Sequence, residues 1–404
     1  MKKTIVITGM GTINSLGLNV PQTLEAMREG HCGISQMNIK DIDKLAIKIG
    51  AQIHAYDPNH YFSKRHQDIY DRFTQFQLLS ANEAILESGL EIDGEVSFRT
   101  GISLGTAGGG VETWDESYRM LYTGGRARVP PFIIPRLMPN SAASHISINH
   151  NIKGPSFTVS TACASSNHAM VQAYMALQSG IADVMITGGS ESMLHYGGIK
   201  SWEGMRVMSN DTCRPFSKNR SGLVHGEGAA AFVFETYEHA RDRGANIIAE
   251  VLGGSMTADS SDIVMLTTEG TSRALQECIK NCKINKEQVG YINAHGTGTI
   301  PNDKKECEII SNVFGDHANK LMVSSTKAMH GHVIGGTSAI ELLACISAVR
   351  DNVIIPTINY DFPDPECPLD IVPNDARQAK VDVAFNNAFA FGGLNSVLAI
   401  RRAP

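Results

Sequence analysis

Strand-like and helix-like segments alternate along this 404-residue chain with glycine turns between them, and the alternation runs through twice. Thr4 to Thr8 reads as a strand, followed by a glycine turn, a helix from about Val20 to Glu29 and a long helix from about Ile69 to Ser88. A strand near Arg99 to Leu104 leads into the glycine-rich Gly105 to Gly110. Strand Phe157 to Ser160, a helix to about Ser179 and strand Asp183 to Gly188 follow. After about Glu250 the order restarts, with a helix near Thr271 to Cys282, the strand Gly290-Tyr-Ile-Asn-Ala and a helix near Lys304 to Val313. The strand Met322 to Ser325, a helix near Thr337 to Arg350 and terminal strands at Asp382 to Phe385 and Ser396 to Arg401 complete it. Alternation of this kind predicts a largely parallel sheet covered by helices. Two cycles predict a duplicated α/β protein, divided at 1–250 and 251–404, with its site between the halves, although the literal sequences do not repeat.

A hydrophobic content of 42% with 38 glycines lets such a chain bury a large core. The apolar stretch that follows Met1-Lys-Lys stops at Gly9 without a cleavage site, and no run approaches the roughly 20 apolar residues of a membrane span. The expectation is a cytoplasmic protein with no membrane insertion. A formal charge of −6 argues against general nucleic-acid binding but leaves room for a local basic patch. The eight cysteines are spread out and read as free thiols; Cys278 and Cys282, four apart on a helix, read as packing rather than zinc ligands.

Cys163 stands where an extended run becomes a helix, in Thr161-Ala-Cys163-Ala-Ser. Unpaired N–H groups at a helix start favour a thiolate, and the small neighbours let a substrate approach the sulfur, so Cys163 is a candidate nucleophile. In Asn293-Ala-His295-Gly-Thr297-Gly-Thr299 a strand ends in a histidine and a loop shaped for a ligand. Lys327-Ala-Met-His330-Gly-His332 places a lysine among polar groups. Phe391-Gly392-Gly393-Leu-Asn395 offers a turn with free backbone N–H groups. Gly9-Met-Gly11-Thr-Ile-Asn14 lacks the third glycine of a dinucleotide fingerprint and reads as a tight turn. The Gly105 loop reads as a close backbone approach.

These four motifs, in this order and spacing, resemble the β-ketoacyl-acyl-carrier-protein synthases, the elongating condensing enzymes of the thiolase superfamily, over nearly the whole chain. The resemblance implies a thiolase fold, a duplicated α-β-α-β-α layered body that is normally dimeric. It implies that Cys163 takes an acyl group from the phosphopantetheine of an acyl carrier protein, with the backbone N–H groups of Cys163 and Phe391 as the oxyanion hole. His295 and His332 would support decarboxylation of malonyl on a second carrier, and the resulting carbanion equivalent would attack the Cys163 thioester. Lys327 and Glu306 would form an ion pair that positions the histidines. Thr297 and Thr299 would hold the pantetheine arm, with Phe391 and Gly392 forming the gate. No cofactor bound by the enzyme itself is implied.

Departures from the fatty-acid pattern bear on the pathway. Gly296-Thr-Gly-Thr-Ile-Pro-Asn-Asp303 looks more like type II polyketide and aryl-polyene ketosynthases, which favours a specialised pathway over housekeeping fatty-acid elongation. Ala390 replaces a common glycine before the gate, which should restrict gate motion, and His330 replaces a common threonine. Trp114 and Trp202 fall near acyl-pocket positions and predict a short or flat pocket; ordinary core or interface aromatics are the alternative reading. Lys64, Arg65 and Arg206 are candidates for docking an acidic carrier. The partner subunit would be a second copy or a chain-length-factor-like homologue. A metal-dependent hydrolase using His295, His330 and His332 remains a distant alternative, because the loop carries a lysine and no carboxylate cluster.

Overall fold

Ten strands rich in Val, Ile, Ala and Phe build one sheet in the computed structural model, which describes residues 2–125 and 128–403. In chain order they are β1 (Ile5–Asn14), β2 (Thr100–Gly105), β3 (Ser156–Val159), β4 (Val184–Ser192), β5 (Glu227–Thr236), β6 (Ala249–Ala258), β7 (Val289–Asn293), β8 (Met322–Ser324), β9 (Val383–Ala390) and β10 (Leu394–Arg402). Side by side they run β8-β7-β9-β10-β6-β1-β5-β4-β2-β3. The first five strands and the last five therefore form two adjoining sets with the same internal pattern. Residue 250, the division expected from the sequence, is the second residue of β6.

Each set holds three parallel strands, β3-β2-β4 in one and β8-β7-β9 in the other. The remaining pairings, β4–β5, β5–β1, β1–β6, β6–β10 and β10–β9, are antiparallel. The sheet is thus mixed rather than largely parallel. A tight turn suffices to return an antiparallel strand, as Phe391-Gly-Gly does between β9 and β10, and strand-and-helix alternation in the sequence does not reveal such returns. The two sets meet where Ile5, Val6 and Ile7 pair with Val251, Glu250 and Ala249.

The helices Ser165–Gln178 and Thr337–Ile346 each touch strands of both sets and form the middle layer. Every residue of the second is buried, and the first exposes little, as expected for helices covered on all sides. They cross at small residues: the Ser166 hydroxyl donates to the Gly335 carbonyl at 2.7 Å, and the Asn167 N–H donates to the Ser338 hydroxyl at 3.0 Å. Arg72–Ser88 covers β1 and β5 on the outside, and Thr268–Cys282 covers β6 and β10. Layers of helix, sheet, helix, sheet and helix result. Gly105 ends β2 directly under the start of the first central helix, where a Cβ would lie 2.3 Å from the Ser166 nitrogen. Any side chain there would push the preceding cysteine turn out of place. No helix among the described residues is long and apolar enough to cross a membrane.

Candidate active site

Cys163 sits on a tight turn between β3 and the helix that begins at Ser165, two residues before the helix rather than in its first turn. Ala162 holds a left-handed backbone, φ 49°, a conformation costing a non-glycine residue on the order of 1–3 kcal/mol. The turn is tied down by the Ser165 hydroxyl, which accepts from the Thr161 N–H at 2.9 Å and donates to the Ala162 carbonyl at 2.6 Å. Those bonds hold the thiol at the base of the cleft. Burial pushes it up to about 11, against the opposing pull of the Lys327 charge and of the N–H groups of Cys163 itself and Phe391. The resting group is therefore a thiol, and the thiolate expected from the helix start is outweighed by desolvation.

His295 follows β7 and His332 follows the short helix Lys327–His330. A nitrogen of each ring and the Cys163 sulfur all lie within 4.8 Å of one another. The imidazoles meet edge to face with centroids 5.6 Å apart. Burial, reinforced by the Lys327 charge, holds both well below the ordinary histidine range, so both are neutral near pH 7. His332 Nδ1 lies 3.0 Å from the Ile334 N–H, which donates to it, and 3.0 Å from the Thr337 hydroxyl. An Nδ1 that accepts leaves the proton of the neutral ring on Nε2. His332 is accordingly a hydrogen-bond donor toward the cleft.

Lys327 is fully buried, and its ammonium donates to the His295 carbonyl and to Glu341 Oε1, at 2.5 Å each. The expected partner, Glu306, is not the ion-pair carboxylate. Its two oxygens instead accept the backbone N–H groups of His295 at 2.8 Å and Gly296 at 2.7 Å, cradling the loop rather than the lysine. Burial raises Glu306 to about 7 despite those two donors and the nearby Lys327 charge. Glu341 and Thr337 contact the candidate site, at Lys327 and His332, and were missed by sequence reasoning. The distant alternative also fails on geometry: His330 is turned to Thr326, with Nε2 2.9 Å from its hydroxyl, and is absent from the Cys163–His295–His332 cluster.

Cys163, His295, His332, Thr297, Thr299 and Phe391 line one cavity of about 360 Å³. The hydroxyls of Thr297 and Thr299 are 2.9 Å apart on its wall. Phe391 begins the β9–β10 turn, in which Gly392 and Gly393 take φ of 82° and 65°. Those two positions carry the need for glycine; Ala390 lies within strand β9 and outside the left-handed region, so the expected restriction at that position has no backbone basis here.

Trp202 lines the cavity and stacks on Phe391 with centroids 5.8 Å apart. Trp114 does not line it. Its helix, Val111–Tyr122, turns that indole outward against Tyr118, 4.9 Å away, so the paired-indole pocket is corrected to one indole. Arg206 stands at the cavity wall together with Lys305, which the sequence reading did not single out. Lys64 and Arg65 are exposed on the short helix Lys64–Ile69, outside the cavity lining.

Comparison with known proteins places this geometry in a family. The β-ketoacyl synthase N-terminal domain matches residues 2–240 and the C-terminal domain matches residues 248–361. Nodulation protein E of Rhizobium sp. (strain N33) is 44% identical over 402 residues, covering 100% of both chains. The 3-oxoacyl-[acyl-carrier-protein] synthase 2 of Staphylococcus aureus (strain N315) is 38% identical over 407 residues, covering 99% of this chain and 98% of its own. Among solved structures, the ishigamide ketosynthase/chain length factor superposes with a TM-score of 0.95 at 29% identity, covering 100% of both chains. With its thiolase-type layers, its buried cysteine and histidine pair and these matches, the chain belongs to the β-ketoacyl synthase family of acyltransferase-type condensing enzymes.

Proposed function

We propose that Cys163 is the acyl acceptor and that His295 and His332 support a decarboxylative condensation on it. The observation that carries this reading is the cluster of one thiol and two neutral imidazoles, within 4.8 Å of one another, in a cavity of about 360 Å³. The thiol gives its proton to a neighbouring base as it attacks an acyl thioester. His295 suits that role, because the cleft-facing nitrogen of His332 already carries hydrogen. His295 passes that proton to the departing carrier thiolate, so the acyl group is left on Cys163 and the imidazole is neutral again. The N–H groups of Cys163 and Phe391, which face the sulfur, suit the oxyanion.

In the second half-reaction malonyl loses carbon dioxide, and the enolate oxygen is met by the His332 N–H, whose proton sits on Nε2. Each such donor is worth roughly 3–4 kcal/mol to developing negative charge. The enolate carbon then forms the new bond to the thioester carbonyl and expels the Cys163 sulfur as a thiolate, which takes a proton from solvent to return to the resting thiol. Neutral donors suit this step, since they stabilise the oxygen without delivering a proton to carbon. Thr297 and Thr299 line the path for a pantetheine arm, and Gly392 lets the Phe391 turn move. Acyl carrier proteins, named in the Staphylococcus relative, are the proposed bearers of both substrates. Lys64, Arg65 and Arg206 are the proposed docking residues.

The pathway we favour is a specialised one, of type II polyketide or aryl-polyene kind, over housekeeping fatty-acid elongation. Identity is higher to nodulation protein E than to the Staphylococcus synthase, and Trp202 narrows the cavity beside the gate. A chain-length-factor-like homologue is a candidate partner, as in the ishigamide pair. Intact-mass analysis with a panel of acyl carriers tests all of this, with Cys163→Ala as control. An adduct at Cys163 with short, rigid or unsaturated acyl groups is expected; no adduct with any carrier overturns the mechanism, and preference for long saturated chains overturns the pathway.

A further inference from the structure

His225 is a buried histidine beside the site for which the condensation above has no use. It lies just before β5, fully buried; the His332 backbone is the one hydrogen-bonding group that acts on its ring, which leaves at least one ring nitrogen without a partner among the described residues. Its backbone is clamped to that of His332: the Gly226 N–H donates to the His332 carbonyl at 3.0 Å, and the His332 N–H donates to the Val224 carbonyl at 2.6 Å. The ring meets Trp202 edge to face, with centroids 4.6 Å apart. Trp202 in turn forms the cavity wall and stacks on Phe391. One indole thus separates the His225 ring from the space next to Cys163.

A leucine or phenylalanine would fill this position without burying a polar ring, and an unmade hydrogen bond at a buried group is costly. An imidazole kept neutral by burial, which holds it down to about 4, presents one donor and one acceptor. Trp202 is only partly buried and borders open cavity into which its indole can turn, whereas the His225 ring is fully buried. A chain occupying the acyl space would meet a polar group at that point.

We propose that His225 is a specificity residue, an unpartnered ring nitrogen of which bonds an oxygen function, a hydroxyl or a keto group, on the acyl chain loaded at Cys163 when Trp202 turns aside. This rests on the acyl-enzyme reading given above. The test compares carriers loaded with acyl groups of matched length, one saturated and two bearing a hydroxyl or a keto oxygen, on wild type, His225→Leu and His225→Asn. Wild type is expected to favour one of the oxygenated chains in kcat/KM by about five- to tenfold, the worth of one hydrogen bond. His225→Leu should bring the ratio to about one, and His225→Asn should retain part of it. With Trp114→Phe leaving Trp202 as the sole indole, its emission should change on loading the favoured chain. Equal use of saturated and oxygenated chains by wild type, or an unchanged ratio in His225→Leu, overturns the proposal while leaving the acyl-enzyme reading intact. Should His225→Leu fail to fold, the wild-type ratio and the Asn variant decide. No Cys163 adduct with any carrier would overturn the acyl-enzyme reading instead.

Discussion

The Ile334 N–H donates to His332 Nδ1 at 3.0 Å, and that bond sets the direction in which the second histidine can act. A backbone donor cannot rotate away or change its protonation. His332 therefore reaches the cleft as a donor, and Thr337, 3.0 Å from the same nitrogen, reinforces the ring's orientation.

Removing Thr337 tests how much of that orientation the hydroxyl supplies. Thr337→Val should leave Cys163 acylation nearly unchanged and lower the condensation rate by about three- to tenfold, the worth of one neutral hydrogen bond. Single-turnover measurements of the two half-reactions separate them. Equal loss in both would show that Thr337 supports the fold of the site rather than His332.

Lys327 and Glu341 form the buried ion pair, so deleting either partner alone should cost about 3–5 kcal/mol of stability. The double variant Lys327→Met/Glu341→Leu should recover most of that loss while remaining inactive, since the His295 carbonyl loses its donor. A double-mutant cycle by chemical denaturation reads the coupling. Stronger coupling of Lys327 to Glu306 than to Glu341 would contradict the arrangement.

Glu306 should give stability a specific pH dependence. Its carboxyl is raised from 4.5 to about 7 in the folded chain, so between those values the folded state holds the extra proton and unfolding becomes easier as pH rises. The contribution is fully present below about 4.5 and lost by about 7, a change on the order of 3 kcal/mol. Glu306→Gln should flatten that part of the stability curve relative to wild type. Parallel curves for the two proteins would count against the raised carboxyl.

Cys163 should alkylate slowly at neutral pH and faster as pH climbs toward about 11, because the thiol must first ionise in a buried site. Iodoacetamide kinetics followed by intact mass give the profile. A reaction already at its plateau near pH 7 would mean a stabilised thiolate.

Where sequence and structure agree, the information was local. Cys163, His295 and His332 each sit in a short string whose small neighbours mark a turn at a strand end, and each arrives in one cavity. Glu341 was hidden because its role depends on the central helix Thr337–Ile346 passing Lys327, fourteen residues away in sequence, whereas Glu306 is near His295 along the chain and serves its backbone. Trp114 was misplaced because pocket membership depends on which side of the helix Val111–Tyr122 faces inward. The antiparallel joints of the sheet escaped for a similar reason, since hydrophobic runs do not announce their direction.

The strand β1 ends up in the middle of the sheet between β5 and β6, whose residues begin at 227 and 249. During synthesis it waits for more than half of the chain to be made before it has a neighbour on either side. Pairings that distant are slow to form and leave an adhesive segment uncovered meanwhile. A nascent chain of this kind needs protection on the ribosome early, and truncating its N-terminus would split the molecule through its centre rather than trim an edge.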